Sequence, residues 1–407
     1  MHFAERTSGI FQRVLNVGII LFALTACLSI SGEETSAAII YLAFLVLWIQ
    51  GRVKPVAVPG GWAAGLLVVG ALLSSFFASA YLVPSLREKL LDLWMIPLFF
   101  ILPACLDDGK RKRFLDLLFI GACIAALYGI FQTLTGLDPL HHSHAKPMGR
   151  LFTATGFSGL RLTYGGLMSM VCLAALGASL EPNIGRLRWF RIGAAGLTGL
   201  ACLASFSRSA FLGLVLGAGL FAIVLFVRST LQRRRIIALA AVAAAIVMAG
   251  LVLTLPEVRK RMTSFLSVKY MKVNARTDIW RNSLNMAIHH PLLGVGSEKD
   301  FRKKYSSYRV VDTRWKSAAH SHNDILQSWL NGGLAGLTGY LGLFVCLFIA
   351  GWKRSRDGPI LLGLFCAIVA MFIQGWSQCY FTDAENSWLF WAMAGLLVIP
   401  ERKKFPD

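Results

Sequence analysis

The 407-residue chain is 56% hydrophobic and only 15% charged, with a mean hydropathy of +0.60, values that exclude an ordinary soluble globular protein. Its 41 Lys and Arg outnumber 21 Asp and Glu, for a formal net charge of +20. In a membrane protein such an excess points to anionic partners, membrane lipids among them, and nucleic acid is not an expected one.

Twelve apolar stretches follow one another along the chain, at about residues 10–30, 36–50, 62–82, 91–106, 114–134, 160–180, 189–206, 209–227, 235–255, 324–350, 359–376 and 387–400. The expected fold class is therefore an all-α integral membrane protein of about 12 transmembrane helices. The second, fourth and twelfth stretches are shorter than the roughly 20 residues a span needs, and only Ser-Phe-Ser-Arg separates the seventh from the eighth. At the N-terminus, Arg6, Arg13 and Leu24-Thr25-Ala26-Cys27 look like a lipoprotein signal, but the apolar run continues past Cys27 and eleven more follow, so the first span is expected to stay. The eight cysteines lie in or beside spans without close pairs, which implies neither a disulfide framework nor a zinc site. His141, His142 and His144 form a small cluster in a connecting loop with no Cys or carboxylate beside them to complete a ligand set. No internal repeat is visible, and no Asp or Glu falls in the middle of a span, which argues against a proton-coupled transporter.

The charges orient the chain. Alternate connections hold twenty-one Lys and Arg, from Arg6 and Arg13 through Lys110 to Arg113 to Arg402 to Lys404. The short connections on the opposite side hold only Arg87, Lys89, Lys146, Arg150, Arg161 and Arg208. Lys and Arg near span ends are retained inside, so both termini are expected in the cytoplasm. The chain then divides into spans one to nine (1–255), one large basic outer loop (256–323), and spans ten to twelve with a short tail (324–407).

That outer loop carries fourteen Lys and Arg against five acids, and a cationic lid beside a bilayer expects an anion. Within it, 275–288 reads as a short helix with Trp280, Leu284 and Ala287 on one stripe, closed by Pro291. Arg276 lies one turn before Trp280 on that stripe, where it either points into what the stripe covers or snorkels to the bilayer surface. Leu293-Gly294-Val295-Gly296 makes a turn, and Ser297 with Asp300 forms a capping box for a second, very basic helix. Its Lys299, Arg302, Lys303 and Lys304 fit a solvated or lipid-phosphate-facing surface better than a catalytic set. His320 and His322 stand where the chain re-enters the membrane, placed to exchange protons near neutral pH or to serve as ordinary interfacial histidines. Asn323 is a plausible cap for the helix that follows.

Arg276 with Trp280, His290-Pro291-Leu292-Leu293-Gly294-Val295-Gly296, His320-Ser321-His322-Asn323-Asp324-Ile325-Leu326-Gln327, then Gly333 and Gly336, together resemble the superfamily of O-antigen ligases, polymerases and protein O-oligosaccharyltransferases. Ser207-Arg208-Ser209-Ala210 is another of its marks. Singly these motifs are weak, and their order around one large outer loop is specific. The resemblance implies a GT-C-like membrane glycosyltransferase on the periplasmic face of the bacterial inner membrane. Its donor would be a glycan on undecaprenyl diphosphate, with no cofactor. The spacing from His322-Asn323 to Gly333 and Gly336 looks like the ligase pattern, in which the acceptor is lipid A-core, and the absence of a soluble domain after the last spans favours the same branch. A polymerase of the superfamily is the alternative. A lipid-linked glycan transporter is the alternative from another class, although its cations should reach both leaflets.

The matched positions imply His322 as general base and Arg208 and Arg276 as diphosphate clamps. Arg161 and Arg281 follow as further phosphate-binding candidates, with His320 orienting its neighbour and Asn323 fixing the His322 ring. Displacing a polyprenyl diphosphate needs a base for the acceptor hydroxyl and stabilisation of charge on the leaving group, which arginine can supply through bidentate contacts. One direct displacement inverts the anomeric carbon. No metal is expected, and a metal-dependent alternative would draw on Glu33, Glu34, Asp383 and Glu385.

Overall fold

The computed structural model describes residues 2–232, 275–310 and 317–400. The ninth apolar stretch and the loop cations from Arg259 to Lys272, with Arg314 and Lys316, lie outside the described residues. The described chain is helical apart from two pairs of two-residue strands, Leu137–Asp138 with Ser143–His144 and Pro147–Met148 with Leu151–Phe152.

In chain order the helices are α1 (His2–Thr25), α2 (Ile30–Ile49), α3 (Gly61–Phe77), α4 (Leu82–Leu93), α5 (Leu98–Cys105), α6 (Asp108–Thr135), α7 (Arg161–Ser179), α8 (Leu187–Ala204), α9 (Arg208–Arg228), α10 (Ala275–His289), α11 (Glu298–Lys304), α12 (Asp324–Arg354), α13 (Pro359–Gly375) and α14 (Ala384–Leu397). Five of these, α2, α6, α7, α9 and α12, are long and apolar enough to cross a membrane. Their outward faces are apolar, with Leu42, Ile49, Leu127, Ile223, Val227 and Val345 exposed. Water penalises such faces and hydrocarbon does not, so the protein is a multi-pass helical membrane protein.

The short stretches resolve differently. The second forms a full helix, α2. The fourth does not: α4 ends at Leu93, and α5 is an eight-residue helix carrying Pro103. The twelfth becomes the 14-residue α14, buried along nearly all its length, which explains an apolar run with no polar face. Between the seventh and eighth, Phe206 turns the chain at φ +49°, and Ser207 caps α9 through the Ala210 N–H.

The chain forms two compact units, each assembled from separated segments: Met1–Gly121, Asn274–Arg354 and Gly375–Asp407 in the first, Ala122–Val273 and Ser355–Gln374 in the second. In the first unit α12 packs along α3, where Gly70 faces the Gly332 carbonyl and the Gly336 amide and Gly339 faces the Ala63 carbonyl. Small residues there let two backbones approach, the usual source of helix association in lipid. Rings of Phe22, Trp94, Phe99, Phe381, Phe390 and Trp391 gather around Trp388 and its helix, with Phe22 and Trp388 centroids 5.8 Å apart. In the second unit α7 is the central helix, packed on α8 and α9. Gly177 meets Gly363 of α13, and the buried Gln374 amide donates to Ser169 Oγ at 2.8 Å.

Candidate active site

The segment between α10 and α12 is anchored by its own polar residues. Ser297 and Asp300 form the expected capping box, and Asp300 also accepts from Ser79 Oγ at 2.6 Å and the Ala80 N–H at 3.0 Å. Burial pushes this carboxyl up, but the bonds from Ser79, Ser297 and Ala80 outweigh it and hold it below the usual carboxylate range. Lys299 and Lys303 are exposed and lie over the Tyr81 ring, 4.5 and 4.3 Å from its centroid, while Lys304 donates to the Ala78 and Val295 carbonyls. Three of the four cations of α11 therefore have structural partners on the protein surface.

Helix α10 forms as expected, and of its expected stripe Ala287 is buried and Trp280 half-buried. Ile279, Asn282, Ser283, Met286 and Ala287 face inward, whereas Leu284 is 43% exposed. Asn282 explains the difference, because its amide donates to Tyr305 Oη at 3.0 Å and accepts from the Val310 N–H at 2.9 Å. A satisfied asparagine can occupy a core position that hydrophobic counting gives to leucine.

The glycines of the motifs have a common purpose. Gly333 has φ +60° and ψ −151°, a conformation essentially confined to glycine, and it breaks α12 near its start. The break docks on the turn after α10. The Val295 N–H donates to the Leu330 carbonyl at 2.7 Å and the Leu334 N–H to the Leu292 carbonyl at 3.3 Å. A Cβ on Gly333 would collide with the Leu292 carbonyl, and one on Gly294 with the Leu330 carbonyl.

Just before α12, His322 sits at φ +53°, a left-handed conformation disfavoured for a residue with a Cβ and worth attention where it occurs beside charged groups. Its carbonyl accepts from Trp280 Nε1 at 3.0 Å. Its Nδ1 lies 2.9 Å from Gln378 Oε1, and Arg276 Nη2 donates to that same oxygen at 3.4 Å. The His320 and His322 rings are 4.1 Å apart between centroids, and His320 Nδ1 accepts the His322 N–H at 3.3 Å. Burial, then its neighbours His322, Arg276 and Arg302, push the His320 imidazole down to about 4. Burial also lowers His322, as does Arg276, while the Gln378 bond opposes the shift. Both rings are thus neutral at pH 7, as a proton acceptor must be.

Asn323 caps α12 through the Leu326 N–H at 2.9 Å, and its amide donates to the Trp376 carbonyl at 2.9 Å. It does not hold the His322 ring, because both ends of its side chain are committed to backbone. Gln378 holds it instead. Sequence reasoning missed Gln378, since a lone glutamine 56 positions away carries no pattern. His320 meets its neighbour twice, accepting the His322 N–H and packing its ring against the His322 ring. Arg281 is exposed on α10, without a hydrogen bond to His322 or Gln378 among the described residues.

Arg161 and Arg208 belong to the second unit, each at the first position of its helix, α7 and α9. These two starts are neighbours there, for Gly165 packs against Ser205 and Ala210. Cations at helix N-termini oppose the local dipole, and positive charge and dipole together favour an anion there.

The histidine cluster does have a carboxylate, contrary to the sequence reading. His141 Nδ1 lies 2.9 Å from Asp138 Oδ1, which also accepts from Tyr128 Oη at 2.7 Å, so the group ties the small hairpin to α6. No group of three or more His, Cys, Asp or Glu suited to a metal ion occurs among the described residues, around His141 or around Glu33 and Asp383.

No curated protein matches the chain. Residues 193–341, which include Arg208, Arg276, His320 and His322, match the family model described as O-antigen ligase. That segment is therefore similar to O-antigen ligases, in line with the motif order, and the long apolar helices are those of a membrane protein.

Proposed function

We propose that the protein is an inverting O-antigen ligase, which transfers a glycan from undecaprenyl diphosphate to lipid A-core on the periplasmic face of the bacterial inner membrane. The observation that carries this reading is the grouping of a neutral, half-buried His322 with Arg276 on one amide oxygen. A proton acceptor and a fixed cation beside each other suit a displacement in which a hydroxyl loses a proton and a diphosphate gains charge.

In that reaction the acceptor hydroxyl attacks the anomeric carbon and His322 Nε2 takes its proton. The bond from the anomeric carbon to the diphosphate oxygen breaks on the opposite face, and the electron pair leaves with undecaprenyl diphosphate. Arg276 and Arg208 neutralise the charge that develops there, at a scale of several kcal/mol for a desolvated donor. Arg161 and Arg281 assist in holding phosphates. The new glycosidic bond is inverted, and arginine replaces the work a metal would do.

The decisive experiment combines purified protein, lipid-linked donor and lipid A-core acceptor in excess chelator. A covalent glycan–lipid A-core product is expected, and His322→Ala should lower its rate by about 10²-fold or more while donor binding persists. Loss of product in chelator, restored by magnesium, would transfer the charge-stabilising role to the outer carboxylates. Product formed by glycan elongation on the polyprenyl carrier, with none on lipid A-core, would make the protein a polymerase. Movement of donor across the bilayer without any covalent product would make it a transporter.

A further inference from the structure

We propose that Gln378 is the positioning residue of the site: its side-chain oxygen fixes the His322 ring in the tautomer that leaves Nε2 free to accept a proton, and sets Arg276 beside it. The proposal rests on the reading of His322 as the base and adds a residue outside the segment matched by the family model, which ends at residue 341.

The assignment follows from donor and acceptor roles alone. A guanidinium has donors and no acceptor, so the Gln378 atom facing Arg276 Nη2 at 3.4 Å must be the carbonyl oxygen. That same oxygen faces His322 Nδ1 at 2.9 Å. An oxygen can only accept, so Nδ1 carries the hydrogen, and in a neutral imidazole Nε2 then holds the lone pair.

Gln378 is itself held firmly. It is 8% exposed and lies in the segment between α13 and α14, which is pinned to the start of α12 on both sides. Trp376 accepts from Asn323 Nδ2 at 2.9 Å, and the Phe381 N–H donates to Asp324 Oδ1 at 3.0 Å. A neutral amide also suits the position better than the carboxylate often found behind a catalytic histidine. A carboxylate would raise the imidazole pKa and pair with Arg276, withdrawing both from the reaction. Among the described residues the charged and titratable groups acting on His322 are Arg276 of α10 and His320, with Arg302 of α11 acting on His320 and Asp324 on Cys379 beside Gln378.

The test is the pH dependence of kcat/KM for transfer by purified wild type, Gln378→Glu and Gln378→Met. Wild type should show an acid limb. Gln378→Glu should move that limb upward by about one pH unit or more, the usual effect of a carboxylate on a neighbouring imidazole. Gln378→Met keeps the volume and loses the acceptor, so kcat should fall about tenfold or more. In 15N-histidine-labelled protein the His322 signal, identified by its loss in His322→Gln, should report Nδ1–H in wild type and lose that preference in Gln378→Met. A folded Gln378→Glu protein whose acid limb stays in place, or an unchanged His322 tautomer in Gln378→Met, overturns the proposal while leaving the base intact. A wild-type profile with no acid limb overturns the base and the positioning residue together.

Discussion

His322 is forced into an uncommon backbone conformation and surrounded by groups that favour its neutral form. Burial and Arg276 lower its pKa, so it is neutral at pH 7 and protonates only below the ordinary imidazole range. Transfer is therefore expected to be level through neutral pH and to decline on an acid limb lying below about 6.5, the unperturbed imidazole value; a limb above that value in wild type would contradict the burial argument. His320→Ala removes the ring nitrogen that accepts the His322 N–H, a contact of about 1 kcal/mol, and should reduce turnover less than His322→Ala. Specific and diffuse positive charge can be separated in the same assay. Arg208→Lys retains charge without the planar fork and should cost at least about tenfold in kcat/KM, whereas Lys303→Ala, which removes a cation stacked on Tyr81, should change it little. The opposite ranking would make the bulk charge of the basic segment the operative feature. At this scale the sequence singled out His322, Arg276 and Arg208 because they stand in ordered motifs, and the structure brings the first two to one amide oxygen. It hid Gln378 because the contact joins segments whose proximity exists only after folding.

Among the elements, those defined by local rules were readable in advance. The capping box at Ser297 and Asp300 and the Asn323 cap each join residues within three positions, so spacing was enough to find them. The inward face of α10 was misjudged at Leu284, because Asn282 replaces hydrophobic contact with two hydrogen bonds. The break in α12 was not foreseen, although Gly333 was noted, because the strain there depends on the distant Leu292 carbonyl. Gly333→Ala should therefore destabilise the protein by about 1–3 kcal/mol or more, the scale of a forced conformation, and should abolish transfer. Gly65→Ala in α3 is the matched control, since open space surrounds that position. Thermal unfolding in detergent compares the two, and equal melting temperatures would refute the docking of the break on the 290–296 turn.

For the whole molecule, composition and alternation of charge were sufficient to reveal a multi-pass helical protein. They could not reveal that each compact unit is built from separated segments, because such a partition depends on helix pairs such as α3 with α12 that carry no mutual sequence signal. The inside-out arrangement can be tested with a membrane-impermeant thiol reagent on single cysteines in a cysteine-free background. Cysteine at the exposed Lys303 should react in sealed cells, and cysteine at the exposed Arg188 or Lys353 only after permeabilisation. Arg111 is a poor reporter, being buried against Asp108. Reaction of position 188 in sealed cells would reverse the orientation and place His322 in the cytoplasm.

The interruption at Gly333 also bears on how the chain enters the bilayer during synthesis. The portion after it, residues 334–354, is about 30 Å long at 1.5 Å per residue, already the thickness of the hydrocarbon layer. The insertion machinery therefore has a complete span to recognise without residues 324–332, whose Gln327, Ser328 and Asn331 would be costly in hydrocarbon. Residues 334–354 should integrate efficiently when fused alone to an insertion reporter, and adding residues 324–332 should not improve their integration. The short polar turn of helix that follows His322 is then free to be selected for chemistry, because partitioning into lipid is accomplished by the residues beyond the break.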